Sequence, residues 1–169
     1  RQLFVDDNLI DSIRDARLVL HRPEMRNRAI TLEHPWESGG VAYAVVFKDE
    51  EKYRMWYRCS PFEGSKVGQG CMTAYAESEN GIRWNKPSLG VIEYQGSRDN
   101  NLVLDERELT NFAPFIDLNP DTLADERYKG IGRHGGVYTA TSADGIHWTR
   151  KNPEPVQTDG PFDSHNIAF

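Results

Sequence analysis

A seven-residue motif occurs twice in the chain. SADGIHW covers residues 142–148 and SENGIRW covers residues 78–84; both keep Ser, then Asp or Asn, then Gly-Ile and, after one variable residue, Trp. Asp-Gly and Asn-Gly are hairpin-turn dipeptides, because Gly tolerates a positive φ and the Asx side chain bonds its own backbone. The same turn at a spacing of 64 residues therefore predicts two copies of one β-structured unit.

The repeat extends beyond the turn. EKYRMWYR (51–58) matches ERYKGIGR (126–133) in acid, base, Tyr, base and final Arg. Ahead of these, VVFKD (45–49) lines up with APFID (113–117). The first unit is 11 residues longer between its Tyr and its Trp, and the excess falls in the SPFEGSKVGQG loop, where an insertion costs a hairpin little.

Short runs rich in Val, Ile, Tyr, Phe and Trp alternate with turn residues, and helical periodicity is nearly absent. The segment 119–128 suits a one-turn excursion or a loop better than a helix. Four short antiparallel strands in each repeat are typical of propeller blades; one β-sandwich with accidental similarity is the alternative. The predicted strands are 41–47, 53–58, 71–78, 91–96, 101–104, 112–117, 128–132, 136–142 and, less clearly, 154–158.

The chain then enters a third copy, in which Phe169 of SHNIAF aligns with Phe115 and Phe47. Two blades and one strand cannot close a ring, and closure removes the exposed edges of such sheets. We therefore expect an all-β fragment of a longer propeller, with about two blades and the first strand of a third. The predicted divisions are an N-terminal arm at 1–33, a first blade at 34–98, a second at 99–160 and the start of a third at 161–169.

Composition argues against several classes of function. The 169 residues carry a net charge of −6, whereas nucleic-acid binders normally show a basic face. No apolar run approaches the ~20 residues of a membrane-spanning helix. Cys59 and Cys71 are too few for a disulfide framework, so we expect buried free thiols, with a disulfide across a hairpin as the alternative. No signal peptide is visible, although one could have preceded RQLFVDD, and we predict a periplasmic or secreted location.

A set of short motifs is distributed along the chain: LFVDD, LVLHRP, HPWES, YRMWYR, PFIDLNP, FDSHNIAF and the two Ser/Gly/Trp turns. Together they resemble the motifs of the five-bladed β-propeller glycoside hydrolases, the clan containing families 32, 43, 62 and 68. The resemblance is closer to bacterial proteins described as family 32 N-terminal-like, many of unknown substrate. It implies three carboxylates that project from the innermost strands of the first three blades into an axial funnel.

This resemblance implies a glycoside hydrolase of oligo- or polysaccharides, furanosidase-, fructosidase- or arabinosidase-like, that needs no organic cofactor. Cleavage of a glycosidic bond requires one protonated carboxyl group to assist the leaving oxygen and one ionised group to attack or to activate water. The innermost strands are predicted at 41–47, 112–117 and 165–169, so the candidate carboxylates lie at or just before them.

Three catalytic carboxylates are predicted on this basis. Glu37 stands where the family pattern places the nucleophile, but with Glu for Asp and without the following Asp-Pro. Asp163 stands near the third inner strand as the acid, where the clan usually has Glu. Asp117 is the second-blade candidate, although an Asx turn explains it as well, and Glu108 is the alternative. For each of them a solvated or turn role is the competing interpretation, as it is for Asp6 and Asp7 in FVDD.

The predicted substrate contacts surround these carboxylates. Trp36 is the candidate stacking platform, and His165 with Asn166 would contact sugar hydroxyls beside Asp163. His21 and Arg22 could bind hydroxyls or an acidic group on the sugar, or could be ordinary surface residues. No metal site is predicted: scattered acids would allow a structural Ca²⁺, but no Asp-x-Asp-x-Asp loop supports one.

Two other functions stay open at this point. The missing Asp-Pro favours a non-catalytic carbohydrate-binding propeller. The Ser-x-Asp-x-Gly-x-x-Trp form of the turn also resembles that of sialidases, which would use an Arg triad and a Tyr nucleophile. All three interpretations share a carbohydrate ligand and the remaining blades as partners, with neither nucleic acid nor membrane.

Overall fold

The computed structural model describes residues 6, 8, 10–25, 28–62, 70–105 and 109–169. Within these ranges no helix is long and apolar enough to cross a membrane. Among the described residues from position 10 onwards, the regular structure consists of strands, with short 3-10 turns at Pro35–Glu37 and Ala124–Glu126. The second turn lies in the segment for which a one-turn excursion was predicted.

The strands form two successive antiparallel sheets, with orders β1-β2-β3-β4 and β5-β6-β7-β8. β1 and β5, the first strands of the two sheets, lie beside each other. The all-β prediction and the pair of four-stranded units are confirmed. The bounds are β1 (Gly40–Asp49), β2 (Lys52–Ser60), β3 (Met72–Ser78), β4 (Leu102–Asp105), β5 (Thr110–Ile116), β6 (Tyr128–Arg133), β7 (Val137–Ser142) and β8 (Thr149–Arg150).

The fourth strand of the first sheet is not the predicted one. Residues 91–96 form no strand, because Gln95 and Gly96 have φ values of +51° and +82°, which turn the chain instead of extending it. β4 takes the edge position, with Leu102 fully buried. This strand lies inside the 99–160 range that the sequence assigned to the second blade.

The ends of the second unit are less regular. Its fourth strand is the two-residue β8, and the segment 154–158 adds only an isolated bridge between Gln157 and Val137. Residues 165–169 are not paired into a ladder with any described strand. They follow β5 in the same direction, because Ser164 lies at Asn111 and Phe169 lies near Ile116.

The duplicated turn has the same hydrogen bonds in both copies. Ser78 Oγ accepts from the backbone N–H groups two and three residues later, at 3.3 and 2.9 Å, and Ser142 Oγ repeats both distances. Asn80 Oδ1 accepts from the two N–H groups that follow at the same spacing, at 2.9 and 3.0 Å, and Asp144 Oδ1 does so at 2.8 and 2.8 Å. The sequence repeat is therefore a structural repeat.

An apolar cluster fills the space between the two sheets. Trp56 and Tyr75 of the first sheet pack there with Phe112, Tyr128 and Trp148 of the second. The Trp56 ring is fully buried, and Trp148 meets Phe112 edge-on with centroids 4.7 Å apart. The tryptophan of the second copy thus belongs to the cluster between the sheets.

The opposite face of the first sheet has its own cluster. Met55 and Tyr57 contribute from β2, and Trp36, Trp84 and Tyr94 cover them. Trp84 therefore packs beneath the first sheet.

A buried carboxylate joins the sheets at the end of β1. Asp49 lies 2.8 Å from Arg54 of its own sheet and 2.6 Å from Arg127 of the second unit, and it accepts a hydrogen bond from the Tyr128 hydroxyl. Burial raises the pKa of Asp49, but the bonds from Tyr128 and Arg127 and the charge of Arg54 outweigh it and hold the pKa below its ordinary value.

Both cysteines are buried thiols that form no disulfide. The β2–β3 register places Cys59 opposite Met72, so the thiols do not face each other across the hairpin. The expectation of two buried thiols agrees with this arrangement.

The two turn glycines differ in how closely aromatic rings approach them. Their φ values are +71° for Gly81 and +76° for Gly145. A Cβ on Gly145 would lie 3.0 Å from Trp56 and 3.3 Å from Tyr128, whereas one on Gly81 would lie 3.7 Å from Tyr53. The Trp56 indole N–H also donates to the Gly145 carbonyl at 2.8 Å. The second turn is therefore locked to the neighbouring sheet.

Gly145→Ala is expected to destabilise the chain more than Gly81→Ala. An L residue in the left-handed region costs about 1–2 kcal/mol at either site. At Gly145 the added methyl group must also displace Trp56 or Tyr128, which adds about 1–3 kcal/mol of overpacking. Urea unfolding of the two variants measures the difference, and equal losses would contradict the inter-sheet contact.

Candidate carbohydrate site at the inner strands

Both inner strands carry a β-bulge at the same repeat position. The register of β1 shifts between Ala42 and Val45, and that of β5 shifts between Thr110 and Ala113. Within each bulge a non-glycine residue has a positive φ, +52° at position 43 and +54° at position 111. Bulges re-aim side chains and are over-represented next to active sites, and strained backbone likewise concentrates at functional sites.

The third segment supplies an equivalent residue. Tyr43 and Asn111 each lie four residues before the aligned phenylalanine of their unit, and His165 lies four residues before Phe169. The rings of Tyr43 and His165 are 5.3 Å apart between centroids. Three consecutive repeat positions therefore converge at the same end of the inner strands.

Side chains from the neighbouring strands complete this group. Arg58 of β2 donates to Asn111 Oδ1 at 3.1 Å, and its guanidinium lies 5.9 Å from the Tyr43 ring centroid. The contact crosses from the first unit to the second. We call the following residues the inner cluster: Tyr43, Arg58, Asn111, Asp163 and His165.

Asp163 is the carboxylate of the inner cluster. Its side chain is 87% exposed, with Arg133 at 3.7 Å and the Ser164 N–H donating to it at 2.7 Å. The Asn111 amide donates to the Ser164 carbonyl at 2.7 Å, and Ser164 has a φ of +61°. The loop that carries Asp163 is thus held by the β5 bulge, which leaves the carboxylate free to meet a ligand.

The inner cluster has the chemistry of a polyol-binding site. It contains a carboxylate that accepts hydrogen bonds, a guanidinium that donates them, and a phenol and an amide that can each donate and accept. Burial lowers the pKa of His165, against a hydrogen bond to the Phe112 backbone, so its imidazole is neutral at neutral pH, and its Nε2 has no hydrogen-bond partner among the described residues. Tyr43 adds an apolar ring with a polar tip, which suits a sugar face and its hydroxyls.

Glu37 is enclosed in the first unit, with none of its surface exposed. Its Oε2 accepts from the backbone N–H groups of Glu33 and His34, at 3.0 and 3.2 Å, and from Lys86 Nζ at 2.7 Å. Its Oε1 accepts from the Tyr57 hydroxyl at 2.6 Å. No oxygen is exposed to a sugar in this arrangement, so the nucleophile role stays a prediction that rests on the resemblance alone.

The surroundings of Glu37 favour its ionised form. Burial raises the pKa of Glu37, but the hydrogen bonds from Lys86, Tyr57 and the backbone outweigh burial and hold the pKa below its ordinary value. An ionised, fully paired carboxylate anchors the chain that leads into β1.

Trp36, the predicted stacking platform, is also buried. Its ring stacks on His34 at 4.5 Å and meets Tyr94 edge-on at 5.6 Å, and its indole N–H donates to Asn101 Oδ1 at 2.9 Å. Both its ring and its polar atom are thus already occupied by protein contacts.

Asp117 lies beyond the far end of β5. It follows Asn111 by six positions, which is roughly 20 Å of extended strand. It pairs with Lys129 at 2.5 Å and accepts from the Asn119 N–H at 2.9 Å, and these bonds lower the pKa of Asp117 to about 2. The Asx-turn interpretation agrees with these contacts, and Asp117 is not brought together with Asp163.

The remaining predicted residues are spread over the chain. His21 and Arg22 are exposed in non-regular chain, and Asn166 donates to the Phe162 carbonyl at 3.4 Å beside Asp163. Asp6 accepts hydrogen bonds from Asn8 within a turn. Asp7 and Glu108 lie outside the described residues.

Within the described part of the chain, no group of three or more His, Cys, Asp or Glu side chains is placed to hold a metal ion. A polar cleft of about 380 Å³ lies elsewhere, at the first repeat turn, lined by Lys52, Glu77, Asn80, Arg83 and Asn85. Its residues belong to the far end of the β2–β3 hairpin and to the turn that follows it.

No protein-family model matches the chain, and no curated protein matches it. Among solved structures it is similar to a glycosyl hydrolase from Bacteroides ovatus, with 20% identity, a TM-score of 0.42, and 70% of this chain and 32% of that chain covered. A structure from a study of GH130 mannoside phosphorylases and of glycoside hydrolases that target β-1,2-mannosidic linkages in Candida mannan has 19% identity, a TM-score of 0.41, and 69% and 31% covered. Another, described as a glycoside hydrolase of Bacteroides ovatus ATCC 8483, has 21% identity, a TM-score of 0.40, and 68% and 32% covered. The chain spans about a third of the length of these structures.

Sequence reasoning missed Tyr43, Arg58 and Asn111 as site residues. The signal was available in the internal alignment, because positions 43, 111 and 165 are each polar or polar-tipped and lie at a constant distance from the aligned phenylalanine. The bulges that turn these side chains toward one another leave no recognisable mark on the sequence.

Proposed function

We propose that the inner cluster is the carbohydrate-binding part of a glycoside hydrolase site, with Asp163 as one of its two carboxyl groups. The observation that carries this proposal is the convergence of Tyr43, Asn111 and His165 beside an exposed carboxylate. The five-bladed ring and the relation to family 32 stay predictions. Glycoside hydrolase is also the class named for solved structures that the chain resembles.

Asp163 would serve as acid or base toward the glycosidic oxygen or a water molecule. A second carboxyl group must then lie within roughly 5–10 Å of it. Glu108, the second-blade alternative that the sequence offers, is the candidate for that group, although it lies outside the described residues. Arg58 and Asn111 would position the sugar, and His165 would contact its hydroxyls.

Asp163→Asn is expected to lower kcat/KM for a cleaved oligosaccharide on the order of 100-fold or more, because a positioned proton donor or base contributes at least that much. Binding should change only a few-fold, since Asn keeps the side-chain shape. A panel of oligosaccharides, assayed by release of reducing ends, gives the rate. Asp99→Asn removes an exposed carboxylate from a distant loop and is expected to leave the rate unchanged; an unaffected Asp163→Asn enzyme would refute the assignment.

A non-catalytic carbohydrate-binding unit is the second candidate. It is favoured by the enclosure of Glu37 and the remote position of Asp117, which leave Asp163 as the one predicted carboxylate at the inner cluster among the described residues. Saccharide binding that depends on Tyr43 and Asn111, without turnover in any variant, would select this candidate.

A further inference from the structure

The contact between the two sheets provides a template for a second contact of the same kind. On the first sheet, Phe47, Trp56 and Tyr75 share the face that packs against the second unit. Phe47 stacks on Trp56 at 4.9 Å, and Trp56 and Tyr75 are almost fully buried. At the end of this face, Asp49 receives Arg127 from the neighbour.

The second sheet presents the equivalent residues on an open face. We define the open face as Phe115, Lys129, Ile131, Thr139 and Thr141, which share one side of the sheet through the pairs 115–129, 129–141 and 131–139. In the repeat alignment Phe115 takes the place of Phe47, and Ile131 takes that of Trp56. The face borders a mostly apolar cleft of about 330 Å³, to which only Ala168 contributes from the third segment.

Asp117, at the end of the open face, has only part of the set of partners that Asp49 has at the equivalent end of the first sheet. Asp117 pairs with Lys129 at 2.5 Å, as Asp49 pairs with Arg54 at 2.8 Å within its own unit. Asp49 also binds the Arg127–Tyr128 pair of the next unit and is 2% exposed, whereas the Asp117 side chain is 19% exposed. A carboxylate has room for further donors, so Asp117 retains acceptor capacity of the kind that Asp49 uses for the next sheet.

We propose that the open face docks a third four-stranded unit of the same repeat, whose second strand begins with a basic residue followed by Tyr, and that this pair binds Asp117. The third segment already lies along β5 in the direction that such a unit requires. Apolar residues on the open face would bury against the third unit, as Trp56 and Tyr75 bury against the second.

A second copy of the chain fits this role poorly. Its equivalent pair, Lys52–Tyr53, belongs to the first sheet, and the outward face of that sheet is already covered by its own Ile30, Trp36 and Tyr94. Docking would have to strip these residues from the cluster beneath β2. The occupant is therefore a unit that presents an uncovered sheet face.

The test uses the chain's own second unit as the probe. A copy of residues 116–160 is joined directly after Phe169, so that Phe169 takes the place of Phe115 and the copy presents its Arg127–Tyr128 pair. In this extended chain, Asp117→Asn is expected to raise the equilibrium constant for unfolding by about 100-fold or more, as removal of a buried ion-pair partner does. In the 169-residue chain the same variant should change it by less than about 10-fold.

The first matched control replaces Arg127→Gln and Tyr128→Phe in the appended copy only. It should reduce the effect of Asp117→Asn to that seen in the shorter chain. The second control is Asp121→Asn, which changes an exposed neighbour and is expected to have no effect. Limited proteolysis shows whether the appended copy folds. If the protease digested the appended copy back to residue 169, the proposal would be overturned. An effect of Asp117→Asn that is the same in both chains would overturn it as well.

Discussion

Glu37→Gln is expected to lower the free energy of unfolding by about 3–5 kcal/mol, because it leaves the charge of Lys86 buried without its counter-ion. Lys86 and Glu37 are 9% and 0% exposed and lie 2.7 Å apart. Gln keeps the shape, and its amide oxygen can replace Oε2 as the acceptor for the Glu33 and His34 N–H groups while its NH2 group donates to the Tyr57 hydroxyl, so the loss mainly reports the charge pair. Urea unfolding at neutral pH measures it.

The double variant Glu37→Gln/Lys86→Met is the control. It removes both charges and should recover most of the stability, since replacement of a whole buried pair by uncharged groups is often neutral.

Acid titration measures the same interaction in a second way. The pKa of Glu37 is lowered from 4.5, so the stabilisation by its ionised form is complete above pH 4.5 and is lost as the pH falls through the pKa of the folded state. Glu37→Gln should weaken this acid destabilisation. A variant that keeps its stability but loses hydrolysis would instead support the nucleophile role.

Asp49→Asn is expected to lower the free energy of unfolding by a similar amount, about 3–5 kcal/mol, because it leaves Arg54 and Arg127 without the carboxylate that joins the two sheets. The loss should loosen the sheets from each other before either unfolds. Hydrogen exchange can detect this as faster exchange of the Trp56 and Trp148 indole N–H groups, both of which donate to the Gly145 carbonyl.

Asp117→Asn is the matched control for Asp49, since it has the same repeat position, an intra-unit Lys partner and more exposure. It should lower the free energy of unfolding by less than Asp49→Asn does and leave the hydrogen exchange of both indole N–H groups unchanged. If the two variants were equally destabilised, the distinction between a filled and an open carboxylate position would be wrong.

Much of the fold follows from local sequence signals. The turn dipeptides at Asn80 and Asp144 determine their own hydrogen bonds, and short runs rich in apolar and aromatic residues marked every strand of the two sheets except the two-residue β8. The 64-residue repeat then predicted two similar sheets, because equal local sequences form equal hairpins.

What the sequence did not reveal depends on contacts between distant residues. The choice of Leu102–Asp105 over residues 91–96 as the edge strand follows from the burial of Leu102 in a core formed by β2 and β3. The enclosure of Glu37 requires Lys86, 49 positions away, and Tyr57, 20 positions away. Neither pairing is visible in a local motif, so Glu37 and Trp36 resembled site residues while serving as buried anchors.

The inner cluster shows the same limit at the candidate site. Asp163, His165 and Asn166 were found because they lie together in the sequence. Tyr43, Arg58 and Asn111 come from three strands and two units, and only the bulges and the packing of β1 against β5 bring them together.

A titration of the isotope-labelled chain with neutral oligosaccharides, followed by amide chemical shifts, tests the central claim that carbohydrate binds at the inner cluster. The largest shifts are predicted at Tyr43, Asn111 and His165, with little change at Glu37 or Asp117. Shifts that cluster at the polar cleft of the first turn, around Asn80 and Asn85, and spare all three inner positions would contradict it.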